Sequence, residues 1–402
     1  IVTARLLGPV ARGELATVIL WPTILSNLGL MGCNWVLARK VAKDPGRECD
    51  WAATGTAVGL SAAAFYLLAG YFLVPLLLPS DRGYLLSVAR FCLLLVPLDI
   101  LNQVLLAVEQ GRMRWRRYNF LRLSLVLFYL SLIGFISVSG RANLRWFVEA
   151  FLVSQALALL LRLWIHRKSL AAGRLHLDGC RNLLRAGVPY FGATASNLVS
   201  TQLDTILVVS LFDAKAAGIY AVAAAFANGQ SAVGEALGIT SFAAVSTEQN
   251  EGRRGKMITE TFRQSALVSC GIGLALACVI PFLVAPLFGF GFTRAIRPAV
   301  ILALAASVRA LTNILNQGLR GAGRPHAGLL SQLLGIAAMA LAALSFLRGF
   351  GLTGMALAVW ISACVQLFVL VAAAAKWLRI SPLQFWPFGL ENIRRFIHQL
   401  SI

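Results

Sequence analysis

Apolar stretches of roughly 18 to 25 residues recur along almost the whole chain, separated by short polar segments. Ala266–Pro286 is one example, without a single charged residue. A helix of that length rises about 30 Å, the thickness of a bilayer's hydrocarbon layer. Lipid supplies no partner for backbone N–H and C=O groups, so the segments that cross it must be helices or a closed barrel. Strand-length alternation is not the pattern, and the chain is read as an all-α polytopic membrane protein. Its composition agrees: 58% of residues are apolar and only 13% charged, with a mean hydropathy of +0.76. A soluble domain has about a quarter of its residues charged.

The predicted spans are approximately 15–37, 54–79, 84–107, 120–139, 144–165, 186–209, 217–245, 264–289, 296–318, 326–347 and 353–375. Ile1–Leu7 reads as the remnant of a truncated first span, which brings the total to about twelve transmembrane helices. No basic stretch, apolar core and cleavage site follow in the order of a signal peptide. The expected organisation is an N-terminal six-helix bundle over 1–165, a cytoplasmic linker over 166–185, a C-terminal six-helix bundle over 186–375, and a cytoplasmic interfacial tail over 376–402.

The net charge of +20 does not point to nucleic acid, because no basic face accompanies a polar domain. The charge sits in the connecting segments, where anionic membrane lipids are the partner. One set of alternate loops holds twenty-three basic residues, including Arg39, Lys40, Arg112, Arg114, Arg116, Arg117, Arg181 and Arg185. The other set holds eight: Arg12, Arg82, Arg141, Arg145, Lys215, Arg294, Arg297 and Arg348. The positive-inside bias assigns the first set, and with it both termini, to the cytoplasm.

The chemistry of an enzyme is not evident. Seven cysteines and four histidines are scattered without metal-ligand or redox spacing, so no metal or other cofactor is expected. No G-x-x-x-x-G-K-[ST] loop is present for nucleotide hydrolysis. The longest connecting region, 166–185, offers only His166, His176 and Asp178, a poor endowment for a membrane-embedded glycosyltransferase or acyltransferase.

The two halves resemble each other. Leu6–Gly13 (LLGPVARG) aligns with Leu211–Gly218 (LFDAKAAG) at an offset of 205, and Leu101–Arg112 with Asn313–Arg324 at an offset of 212. Six spans lie between equivalents, so the repeats run parallel. That architecture suits two bundles around a central cavity and transport by alternating access.

Polar groups at membrane depth are costly and tend to line such a path or to pair with one another. The candidates for binding cargo are Arg309, Arg90, Asn197, Gln202, Asn228, Asn313 and Gln317. Those for ion coupling or charge pairing are Asp99, Asp204 and Glu235. Guanidinium pairs well with the oxygens of a diphosphate, and hydroxyls and amides suit sugar hydroxyls. The alternative is structural: Asp99 with Arg309, and Arg90 with Asp204, as pairs that lock helices together.

LLGPVARGELA at Leu6–Ala16, Leu203-Asp204-Thr205-Ile206-Leu207 and Ala217-Gly218-Ile219-Tyr220-Ala221-Val222-Ala223 carry a family resemblance. The chain resembles bacterial polysaccharide and O-antigen flippases of the multidrug/oligosaccharidyl-lipid/polysaccharide exporter superfamily. Asp213 departs from the glycine that relatives often have in this turn. The resemblance implies a polyprenyl-diphosphate-linked oligosaccharide as cargo, flipped from the cytoplasmic to the outer leaflet for lipopolysaccharide or exopolysaccharide biosynthesis. It also implies the bacterial inner membrane, coupling to a proton or sodium gradient, and a polysaccharide polymerase and glycosyltransferases as partner proteins. A small-molecule or drug antiporter of the same superfamily is the alternative.

The loop charges make a direct prediction. A reporter fused after Arg114 should be active only in the cytoplasm, and one fused after Gly140 only outside; the same sidedness for both would overturn the span count.

Overall fold

The computed structural model describes residues 1–78, 80–140, 143–247, 250–321, 326–378 and 385. Apart from its first three residues and Phe385, the expected tail 376–402 lies outside the described residues. Twelve helices are described: α1 Val2–Gly29, α2 Cys33–Lys43, α3 Glu48–Leu77, α4 Leu86–Cys92, α5 Leu95–Gly111, α6 Trp115–Ser139, α7 Leu144–Ala172, α8 Leu177–Leu211, α9 Ala214–Thr247, α10 Glu251–Phe288, α11 Ile296–Gly321 and α12 His326–Leu378. No strand occurs among the described residues.

The helices map onto the predicted spans with informative breaks. Helix α1 is interrupted at Gly8, separating its first turns from the span that follows. Helices α1 and α2 meet at a 43° bend and together make one broken span. The bend runs through Met31 at φ 45° and Gly32 at φ 72°, the left-handed region that favours glycine. A side chain on Gly32 would also meet α8, since its Cβ would lie 2.6 Å from the Tyr190 Cβ. Helices α4 and α5 form a second broken span. Its break at Leu93–Leu94 lies just before Pro97, which has no N–H to offer the Leu93 carbonyl four residues back. The 53-residue α12 holds two spans divided at Gly351.

Seven of the described helical spans are long and apolar enough to cross a membrane, or eight with the bent pair. Their outer faces carry large apolar groups that water would not tolerate in such density. Val138 is 90% exposed, Leu76 81% and Phe282 78%. The protein is therefore a multi-pass, all-helical membrane protein with about twelve helices.

The chain forms two compact units, one of Ile1–Val199 with Val209–Gly218, the other of Ser200–Val208 with Ile219–Ile402. In the first, α5 packs against α1, α2, α3, α6 and α7. In the second, α11 packs against both α10 and α12. The α4–α5 span buries 56% of its apolar stretch and the α11 span 67%, whereas the other five bury 17% to 44%. The two central helices are the ones that the 212-residue offset pairs, so the internal repeat carries the same burial role in each unit. Phe385 packs edge-on against Phe262 of α10 in the second unit.

Gly32→Ala should lower the thermal midpoint in detergent, because the new methyl group both strains the backbone and strikes α8, at a cost of about 1–3 kcal/mol. Gly134→Ala in α6, with open space around it, should leave the midpoint unchanged or raise it slightly. Equal midpoints for the two variants would contradict this packing.

Candidate functional site

Three of the sequence candidates, Arg90, Asp99 and Asn197, belong to the first unit. Asp204, Gln202, Asn228, Asn313, Gln317 and Arg309 belong to the second. Glu235 lies in α9, with its side chain outside the described residues.

In the second unit the structure joins Asp204 to Tyr220. Asp204 is buried in α8 and accepts a hydrogen bond from the Tyr220 hydroxyl at 2.8 Å and another from the Thr205 N–H at 2.8 Å. Tyr220 is itself buried near the start of α9, and Arg309 is half-buried in α11. An acid and a phenol from two helices therefore meet. Tyr220 was not among the sequence candidates, although it stands in the Gly218-Ile219-Tyr220 stretch that carries the resemblance. The hydrogen bond supplies a physical reason for an aspartate and a tyrosine sixteen residues apart across the α8–α9 turn.

The polar lining is partly structural. Gln230 of α9 donates to the Ser269 carbonyl of α10 at 3.0 Å and to the Ser307 hydroxyl of α11 at 2.8 Å. Gln366 of α12 reaches Ser200 at 3.2 Å and Ser362 at 3.2 Å. Asn313 donates to the Gly234 carbonyl at 3.5 Å. Gln202 and Gln317 are half-buried, and Asn228 is exposed. These last side chains keep exposed surface, while Gln230 and Gln366 bind helices together.

In the first unit Asp99 sits one turn into α5, just past the α4–α5 break. It accepts hydrogen bonds from Ser26 of α1 at 2.6 Å and from Gln103 at 2.9 Å. Ser26 lies just before the bend between α1 and α2, so one carboxylate links two broken spans. Arg90 of α4 stacks over the Tyr71 ring at 4.4 Å, a cation–π contact that suits a guanidinium in an apolar setting. Asn197 is exposed on α8. Asp99, Asp204 and Arg90 thus engage groups within their own units.

Two networks went unread in the sequence. Arg162 of α7 is buried and donates to Asn102 Oδ1 at 2.6 Å and to the Leu121 carbonyl at 2.8 Å. Asn102 in turn donates to Gln155 Oε1 at 3.0 Å, so α5, α6 and α7 are cross-linked by polar bonds. Nearby, Glu109 and His166 are both fully buried, with Glu109 Oε1 3.2 Å from His166 Nε2, 3.4 Å from Arg112 and 3.5 Å from Arg117. Arg112 also pairs with Glu48 at 2.6 Å. Arg112 and Arg117 belong to the topogenic loop charges, yet they also close the ends of α3, α5, α6 and α7. The available signal was the polar Asn102–Gln103 pair within an apolar span. Which helix faced it lay beyond periodicity. Among the described residues, no three His, Cys, Asp or Glu side chains gather as metal ligands.

The fold is that of helical membrane transporters. It is similar to a multidrug resistance MATE family transporter of the MOP superfamily in its inward-facing conformation, with TM-score 0.76 and 13% identity over 94% of this chain and 93% of that one. It is also similar to the lipid II flippase MurJ in an inward closed conformation, with TM-score 0.69 and 13% identity over 99% and 91% of the two chains. A eukaryotic MATE transporter, AtDTX14, gives TM-score 0.60 and 16% identity over 99% and 90%. At such identities the likeness concerns the fold. The family is established by sequence: the model described as "Polysaccharide biosynthesis protein" matches residues 1–232, and the chain belongs to that family. No curated protein sequence matches it.

Arg162→Ala should strip Asn102 Oδ1 of its Arg162 donor, at about 1–3 kcal/mol for the acceptor left bare, while the Leu121 carbonyl keeps the Ser124 hydroxyl at 2.9 Å. The expected readout is a clear fall in thermal midpoint in detergent, partly restored by Arg162→Lys; an unchanged midpoint would mean that the network does not hold the three helices.

Proposed function

We propose that this protein is a flippase that moves a polyprenyl-diphosphate-linked oligosaccharide from the cytoplasmic to the outer leaflet by alternating access, for surface or extracellular polysaccharide biosynthesis. The observation that carries the reading is membership of the polysaccharide biosynthesis family on a chain with the fold of a lipid II flippase. A lipid-linked sugar has an anionic diphosphate, a polar glycan and an apolar tail. It calls for cationic and hydrogen-bonding groups on a path open to lipid.

In this reading Arg309 and Arg90 attract the diphosphate, and Asn197, Gln202, Asn228, Asn313 and Gln317 meet sugar hydroxyls. The energy comes from a proton or sodium gradient, with Asp99, Asp204 and Glu235 as the coupling carboxylates. The location is a bacterial inner membrane with both termini in the cytoplasm. The polysaccharide polymerase and glycosyltransferases act on either side of the transport step, and the chain itself performs no catalysis.

The second reading, an ion-coupled antiporter of small cations, draws on the MATE-like fold and on buried Asp204. Cargo charge separates the two. An anionic lipid diphosphate depends on arginines, whereas a cationic drug depends on carboxylates.

Deletion of the gene should abolish surface polysaccharide and cause lipid-linked intermediates to accumulate. Wild-type protein should restore export, and Arg309→Ala should reduce it by about tenfold or more, the weight of a charged hydrogen bond, at equal protein level. Normal polysaccharide in the deletion strain, together with new sensitivity to cationic drugs, would favour the antiporter instead.

A further inference from the structure

The structure divides the arginines into two populations. Arg82, Arg112 and Arg162 turn inward to protein oxygen; Arg82 donates to the Thr17 hydroxyl at 2.7 Å and to the Phe212 carbonyl. Helix α6 presents the opposite case. Arg114 precedes its first turn, Arg116 and Arg122 lie within it, and all three are exposed. Among the described residues none of these three side chains has an ion-pair or hydrogen-bond partner. From Gln110 to Val148 the chain holds no Asp or Glu that could supply one. Glu109, the acid just before, is fully buried and already shared by Arg112, Arg117 and His166.

Arg122 is the unusual member. Helix α6 buries only 22% of its apolar stretch, the pattern of a helix that faces lipid. Positions 115, 119, 122 and 126 follow the spacing of one helix face, and Trp115, Asn119, Arg122 and Val126 are all exposed. Arg122 therefore stands on the lipid-facing stripe, about 10 Å along the helix from Trp115. A guanidinium among acyl chains is costly. Helical side chains tilt toward the N-terminus, which carries this one back past Asn119 toward the Trp115 end and the headgroup layer. That end is the one that the loop charges assign to the cytoplasm. Phosphate oxygens match the planar donors of arginine, and tryptophan is the residue that favours headgroup depth. Further along the same helix, exposed Leu127 and Leu130 offer apolar surface to acyl chains.

We propose that the Trp115–Asn119–Arg122 stripe of α6, with Arg116 beside it, binds the phosphate of a resident anionic phospholipid. Charge complementarity selects that partner. A zwitterionic lipid brings an ammonium group that unpaired arginines repel, and α6 has no acid to receive it. The place on the molecule selects a resident lipid over a transported one, because the stripe runs along a helix that exposes most of its apolar length. The site is independent of the transport reading and holds for any cargo.

The test is lipid binding by the purified protein. Full-length protein in detergent is titrated with dioleoyl phosphatidylglycerol or dioleoyl phosphatidylcholine, and lipid-bound species are counted by native mass spectrometry. The parent should bind phosphatidylglycerol about fivefold or more tightly than phosphatidylcholine. Arg122→Gln should weaken phosphatidylglycerol binding about fivefold, the weight of one basic residue beside an anionic headgroup. Lys43→Gln removes another exposed cation of the same loop set and should change binding by less than about twofold. Where Arg122→Gln yields no monodisperse protein, Arg116→Gln decides the matter. Equal affinity for the two lipids would overturn the site, as would an effect of the decisive variant no larger than that of Lys43→Gln. A polyprenyl diphosphate that displaces phosphatidylglycerol at equal concentration, and loses its own binding in the decisive variant, would assign the stripe to cargo and overturn the proposal as well.

Discussion

A guanidinium away from bulk water must find oxygen inside the protein, and the interior of this molecule is organised around that requirement. Arg162 takes an amide oxygen and a main-chain carbonyl. Arg82 takes a hydroxyl and a main-chain carbonyl. Arg112 takes two carboxylates. Each bond ties helices that apolar packing alone would allow to slide, because lipid is as apolar as leucine and gives little preference for helix–helix over helix–lipid contact. Specific polar bonds and close backbone approaches then carry much of the register between helices.

That economy explains why the two buried helices α5 and α11 are central. Each holds amides and hydroxyls at membrane depth, Asn102 and Gln103 on one, Ser307 and Asn313 on the other, and each turns them toward neighbouring helices. By contrast α3 and α6 expose most of their apolar length, as lipid-facing helices should. Arg309, Gln202, Gln317, Asn228 and Asn197 stay half-buried or exposed. Gln230 and Gln366 already have work as helix braces.

The breaks in the spans belong to the same economy. Pro97 offers the Leu93 carbonyl no N–H, so it takes that of Val96 at 2.9 Å, Gly32 turns the chain between α1 and α2, and Gly351 divides α12. Two of these breaks meet at Asp99, whose carboxylate reaches back to Ser26. A charge at a point where regular helix has ended can be solvated by side chains in a way that a continuous helix does not permit. In the transport reading, such points are where a bundle can bend without losing its main-chain bonds.

The amino-acid sequence by itself determined the class of fold, the number of spans and the internal repeat. Each follows from a local property, the length and spacing of apolar runs, which lipid converts directly into helices. It also marked Asp204, Arg309 and Asp99 as unusual, because a charge within an apolar run is visible without knowing its neighbours. Partnership was not legible. That Asp204 meets Tyr220, that Arg162 meets Asn102, and that a loop arginine turns inward to Thr17 and Phe212 all depend on which helix faces which. Helical periodicity says that a face is polar and leaves open what lies opposite it. The tertiary structure alone decided that, since a desolvated donor must take an acceptor within about 3 Å and only packing sets what stands there.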